Sequence, residues 1–185
     1  TMDVWATMVL HEYFHAFQFS HPEYADYYEK HCAFFDSNIL QSLYLNYKWY
    51  RNSINKENEL LLKALNTSDI NLARRHLRSF LKIRSNRRKN AYRKLHLDIT
   101  KAEQTYEMTE GSAHYIEAKL YESIPVYQAD SSWLYTAGKK YHYATGYNII
   151  RVLDKFGCHY QKELFYHIPL AEEELNDIVS VFPYN

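Results

Sequence analysis

The sequence predicts a mainly α-helical chain, and three observations carry that prediction. Between Pro22 and Gly111 there is neither a glycine nor a proline, so nothing in that stretch forces a break in a helix. The same stretch is rich in Leu, Ala, Lys, Arg and Glu, which lose little side-chain freedom in a helix. No run of strict apolar and polar alternation, the mark of a half-buried strand, competes with them. With 185 residues and 46% hydrophobic content, the chain is long enough for one domain with its own core, and no shift in composition divides it.

Taken in order, Asp3 is the expected N-cap of a first helix running to about Phe19, and Ser20-His21-Pro22 ends it and opens the next. Further turns are expected at Phe35-Asp36-Ser37-Asn38, Asn52-Ser53-Ile54-Asn55 and Asn66-Thr67-Ser68-Asp69, each with a capping side chain before an apolar run. Helices then fall at about residues 23–33, 38–50, 57–65, 69–94 and 98–121. Ser123-Ile124-Pro125 closes the last of these, and 128–132 reads as a surface loop. Gly157 is the expected C-cap of the helix before it. Two short helices at about 159–167 and 170–180 finish the chain, the second opened by Pro169 and an acidic first turn.

The chemistry lies first in Val9-Leu10-His11-Glu12-Tyr13-Phe14-His15-Ala16-Phe17, a His-Glu-x-x-His pattern inside an apolar helix. Residues four apart on a helix differ by about 40° in azimuth, so the His11 and His15 imidazoles can close on one metal ion. Glu12 stands about 100° round from His11 and can act on a water at that metal rather than ligate it. Zinc hydrolases use this pattern: the metal lowers the pKa of water towards neutrality while a carboxylate takes its proton. Val4, Met8, Tyr13, Phe14, Phe17 and Phe19 surround the polar residues and predict a largely buried helix, in which His and Glu need partners.

Downstream stands Thr109-Glu110-Gly111-Ser112-Ala113-His114-Tyr115-Ile116-Glu117. Together the two stretches resemble the gluzincin metallopeptidases, in particular the aminopeptidase N type. By that resemblance Glu110 matches the third zinc ligand, Gly111 the small residue after it, and Glu117 an acid that supports a ligand. Glu110 and Glu117 differ by about 700° on a helix, close to two full turns, and so share a face. One carboxylate can then bind zinc while the other accepts the ring N–H of a ligating imidazole. Glu107 and His114 lie on neighbouring tracks and are alternatives for these places. The segment Tyr141-His142-Tyr143-Ala144-Thr145-Gly146 is similar to the family's Tyr-x-Lys-Gly segment. The resemblance makes Tyr143 the donor to the oxyanion, with Tyr141 and His142 as alternatives and Thr145 where the family has lysine.

The resemblance implies a zincin-like helical catalytic domain over 1–185, with one zinc ion per chain held by His11, His15 and Glu110. Glu12 is then the general base in hydrolysis of peptide bonds, and the substrate is a peptide or protein. Between His15 and Glu110 lie 94 residues, far more than the family's couple of dozen, so residues 22–106 are expected to form a helical insertion that leaves the site and returns to it. The family's β-sheet ahead of the metal helix and its Gly-x-Met-Glu-Asn segment are not in this sequence. Exopeptidase action is therefore unsupported, and the chain reads as a helical piece of a larger enzyme. The alternative is a helical binding module whose metal site is structural or vestigial. It would bind zinc without cleaving.

Other features narrow the classes. Formal net charge is zero, which gives no global attraction to nucleic acid or an anionic membrane, and no transmembrane stretch is present. Two cysteines, Cys32 and Cys158, are too few for a disulfide framework or a thiolate site. From Ile70 to Leu97 there are ten Lys and Arg and no acid. The expected reading is an amphipathic helix with a basic solvent face rather than a phosphate-binding one, with Phe80 and Leu81 on the core and Arg84 approaching the cleft.

Overall fold

The computed structural model describes residues 2–33, 35–123 and 140–181. Among them the chain forms eight helices and no strand: α1 (Met2–Phe19), α2 (Pro22–Cys32), α3 (Ser37–Asn46), α4 (Lys48–Asn66), α5 (Ile70–Leu95), α6 (Thr100–Ser123), α7 (Tyr141–Lys155) and α8 (Leu170–Ser180). The fold is thus mainly α, as expected, and no described helix is long and apolar enough to cross a membrane.

Local capping chemistry explains several boundaries. Pro22 occupies the first turn of α2, where its missing N–H costs nothing. Asp36 accepts the Asn38 amide at 2.9 Å, Asp69 those of Asn71 and Leu72 at 2.8 and 3.1 Å, and Asp98 that of Thr100 at 3.0 Å. These bonds satisfy N-terminal amides of α3, α5 and α6. After α7, Gly157 takes a left-handed φ of 69°. Cys158 N then donates to Leu153 O and Gly157 N to Asp154 O, both at 3.0 Å, closing the carbonyls that the helix leaves open.

Four expectations are corrected. Asn52-Ser53-Ile54-Asn55 is not a turn but the interior of α4, because Tyr50, Ile54, Glu57, Leu61 and Ala64 form a buried stripe at helical spacing whose packing overrides local Asn and Ser preference. The break falls instead at Tyr47, extended at φ −114° and ψ 103°, where the Arg51 guanidinium donates to Tyr44 O and Leu45 O at 3.1 and 3.0 Å. Residues 161–166 form successive turns, not a helix. Asp3 lies inside the first turn of α1 instead of capping it. Nor is α1 largely buried: Met8, Tyr13, Phe17 and Phe19 are exposed, Tyr13 by 74%, because among the described helices α1 packs mainly beside α6 and α2, with Phe14 and Phe17 also against Phe165. The side chain of Val4 and the expected loop at 128–132 lie outside the described residues.

Helix α7 runs against α6, α4 and α8, and its buried residues, from Tyr141 to Leu153, occupy almost its whole circumference. Glycine makes the α6–α7 approach possible. A Cβ on Gly111 would stand within 2.5 Å of the Tyr147 amide nitrogen, and one on Gly146 would run into the Glu107 carbonyl.

The basic helix is amphipathic as expected, with Arg75, Arg78, Lys82, Lys89, Arg93 and Lys94 exposed and Phe80 in the core, but three of its arginines turn inward. Ala73, Leu77, Phe80, Arg84, Arg87, Arg88 and Ala91 form the buried face of α5, so three arginines continue the apolar stripe inward. Arg84 does not approach the cleft; it is 1% exposed and pairs with Glu107, with its Nε also 3.2 Å from Glu172. Arg87 donates to both oxygens of Glu57 (2.6 and 2.8 Å) and both of Glu103 (2.8 and 3.1 Å), while Arg88 reaches Glu103 and Glu172. The network thus ties α4, α5, α6 and α8 together. It lies between two hydrophobic clusters, one around Leu61, Leu77 and Phe80 and the other around Leu40, Ile54 and Ala91. Three guanidiniums face four carboxylates, and the imbalance falls on Glu107: burial outweighs Arg84, and the Glu103 charge adds to it, lifting the carboxyl to about 7.

Removing one member of such a buried network leaves the others charged and unpaired. Arg87→Ala is expected to lower the unfolding free energy by about 3–5 kcal/mol. The exposed Arg75→Ala should stay within about 0.5 kcal/mol of wild type, both read by urea denaturation.

Candidate metal centre

The two stretches singled out in the sequence meet across the α1–α6 contact. His11 and His15, one turn apart on α1, turn their Nε2 atoms towards each other at 2.9 Å. Glu110 of α6 brings Oε2 to 3.5 Å from the first and 3.7 Å from the second. A tetrahedral ion with bonds of about 2.0–2.1 Å has its ligand atoms about 3.3 Å apart, and the three separations here scatter around that value, so these donors could hold one metal ion. His11, His15 and Glu110 are grouped closely enough to share a cation.

Hydrogen bonds on the far sides of the rings decide what the near sides carry. His11 Nδ1 lies 3.1 Å from Glu117 Oε1, and a carboxylate only accepts, so Nδ1 donates. His15 Nδ1 lies 2.7 Å from Gln18 Oε1. The Gln18 amide nitrogen is committed to donating, to Ser112 Oγ at 2.8 Å and Thr109 O at 3.2 Å, which fixes the amide orientation and makes His15 Nδ1 a donor too. With Nδ1–H donated on both rings, neutral imidazoles would turn Nε2 lone pairs at each other and at a carboxylate oxygen. Three electron-rich atoms at these distances repel unless a cation, a proton or a metal, stands among them.

Electrostatics agree with the geometry. Burial lowers the His11 pKa, but Glu110 and Glu117 outweigh it and lift it to about 9. His15 is also raised, against burial, by Glu110 and Gln18. Burial would raise Glu110 and Glu117, yet their histidine partners hold Glu110 well below the carboxylate range and Glu117 at about 2. The carboxylates are ionised and ready for a cation.

Comparisons with known protein families, with characterised proteins and with solved structures find no match for this chain. The reading of the centre therefore rests on its own residues.

Each expected site residue has a definite place. Glu12 is exposed beside the centre, and its charge, with that of Glu110, acts on the half-buried Tyr143. Burial first, then Glu110 as a charge and hydrogen-bond partner, pushes the Tyr143 phenol far above its ordinary pKa, so it keeps its proton. The alternatives are turned elsewhere. Tyr141 is fully buried and bonded to Tyr50 and Glu103 at 2.6 and 2.7 Å. His142 is 1% exposed beside Tyr106, and burial lowers it to about 4. Glu107 belongs to the arginine network. His114 does reach the centre's surroundings, donating from Nδ1 to Glu117 Oε2 at 2.8 Å.

The residue missed in the sequence is Gln18. Its signal was present: a polar side chain three after His15, on the same helix face. It is fully buried and joins α1 to α6 through Met108 O, Thr109 O and Ser112, besides holding the His15 ring.

A pH dependence follows for the metal-free protein. The His11 pKa is raised from 6.5 to about 9 in the folded chain, so its stabilising contribution is complete below about pH 6.5 and lost as pH rises through 9. Urea midpoints measured from about pH 6 to 10 should decline in the metal-free wild type, and His11→Ala should flatten that decline. A pH-independent wild type would contradict the pairing.

Proposed function

We propose that this chain is a mainly α-helical catalytic domain of a gluzincin-type zinc peptidase, with His11, His15 and Glu110 holding one zinc ion. The observation that carries the reading is the convergence of two Nε2 lone pairs and one carboxylate oxygen, with each imidazole fixed from behind by Glu117 or Gln18. That donor set, two His and one Glu, matches the three-ligand catalytic kind, which keeps a fourth position for water, better than the closed structural kind.

When bound, zinc supplies Lewis acidity, polarising a carbonyl and lowering the pKa of water to about 7. The chain's own residues do the rest. Glu12, open to solvent, takes the proton of the attacking water and delivers it to the departing amine. Tyr143 keeps its hydroxyl proton through the neutral range and donates a hydrogen bond to the oxyanion that develops on the scissile carbonyl. Glu117 and Gln18 hold the two imidazoles in the Nδ1–H form, so that Nε2 stays available. The substrate class is a peptide or protein.

Elemental analysis should find close to one zinc per chain, lost in His11→Ala and His15→Ala. Glu12→Gln should keep the zinc and lose most peptidase activity. Glu110→Gln should weaken zinc binding, and Tyr143→Phe should keep zinc while kcat falls about a hundredfold. Equal metal loss in Glu12→Gln and Glu110→Gln would reverse the carboxylate roles. Full zinc with no cleavage of any peptide would favour a binding module instead.

A further inference from the structure

Glu117 carries two imidazoles. Its Oε1 accepts from His11 at 3.1 Å and its Oε2 from His114 at 2.8 Å. The three side chains are only 5–12% exposed, so water contributes little to holding the carboxylate. A carboxylate with one oxygen bound can still rotate about its last torsion, and each charge-assisted bond removes part of that freedom. His114 sits on the same helix as Glu117, three residues before it, and its bond pins the second oxygen. Its ring also lies between the two sides of the centre, 4.8 Å from the His11 ring and 5.2 Å from the Tyr143 ring, centre to centre.

We propose that His114 is a positioning residue for the metal centre. By donating Nδ1–H to Glu117 it holds that carboxylate in the plane where the other oxygen accepts from His11, and so fixes the His11 ring with Nε2 turned to the metal. The inference rests on the zinc reading above, and it adds a third layer behind the ligands: His114 orders Glu117, which orders His11. His11, His114 and Glu117 also lie close enough together to share a cation themselves. The two hydrogen bonds instead match protons on both Nδ1 atoms, with Glu117 between them.

The rival explanation for His114 is packing, since its ring fills space between His11 and Tyr143. Two substitutions separate the explanations. His114→Asn keeps an N–H at the Nδ1 position and gives up the ring, whereas His114→Phe keeps a ring of similar size and gives up the donor. Zinc affinity, measured by competition with a chelating indicator, is expected to stay near wild type in His114→Asn. It should fall about tenfold in His114→Phe, the low end of what outer partners of zinc ligands contribute. Glu117→Ala should weaken zinc binding as well, and adding His114→Phe to it should cost nothing more, because the effect passes through Glu117.

An Asn variant as weak as the Phe variant, a Phe variant with wild-type affinity, or losses that add in the double variant would each overturn the proposal. Should His114→Phe fail to fold, nitrogen-15 spectra of the zinc-loaded wild type decide: His114 protonated on Nδ1 supports it, and protonation on Nε2 alone overturns it. Wild-type protein that takes up no zinc would overturn the zinc reading itself, a different result from a wild type that binds zinc and a Phe variant that binds it equally well.

Discussion

The structure depends most on the ion network built around Arg84, Arg87 and Arg88. Burying three guanidiniums with Glu57, Glu103 and Glu107, and most of Glu172, takes these charges largely out of water, a cost that only close, multiple hydrogen bonding offsets. That requirement is geometric. Arg87 must meet both oxygens of Glu57 and both of Glu103 at once, which sets α5 against α4 and α6 at a definite height along their axes. Apolar packing tolerates small slides of one helix past another, and a bidentate ion pair does not. Two hydrophobic clusters supply most of the burial on either side, while the network between them fixes the register.

The centre follows from that register. Glu107 of the network and Glu110 of the centre are three residues apart on α6, so the helix that Arg84 grips on one side presents its candidate ligand on the next. Gly111 and Gly146 then let α7 come against α6 closely enough for Tyr143 to lie under the charge of Glu110. On the other side Gln18 ties α1 to the carbonyls of Met108 and Thr109. Helix α1 leaves Trp5, Met8, Val9, Tyr13 and Phe17 exposed. Its polar face is the well-fixed one. The candidate centre therefore has an ordered set of hydrogen bonds behind it, while Glu12 is exposed.

Several residues show how local and non-local information divide. The caps at Asp36, Asp69 and Gly157 were legible because each acts on amides or carbonyls within six residues of itself. The turn expected at Asn52-Ser53 was not, because the buried stripe through Tyr50, Ile54 and Glu57 belongs to partners far away in the chain. The arginines of α5 show the same limit from the other direction. Their spacing already matched the apolar stripe of Leu77 and Phe80, but an isolated sequence offers no acids there, and burial of a charge is credible only once its partners are known.

By itself, the sequence determined the helical class, most helix ends and the pairing of His11 with His15, because all of these are set by the 3.6-residue repeat and by side chains bonding to neighbouring backbone. The resemblance pointed to Glu110, Glu117 and Tyr143, but only tertiary structure brings Glu110 across 94 intervening residues to His11 and His15, sets Glu117 and Gln18 behind the rings, turns Tyr141 away towards Tyr50 and Glu103, and buries Arg84. Each of these depends on the angle and height at which two distant helices pack, and that is fixed by interactions between residues the chain itself holds far apart.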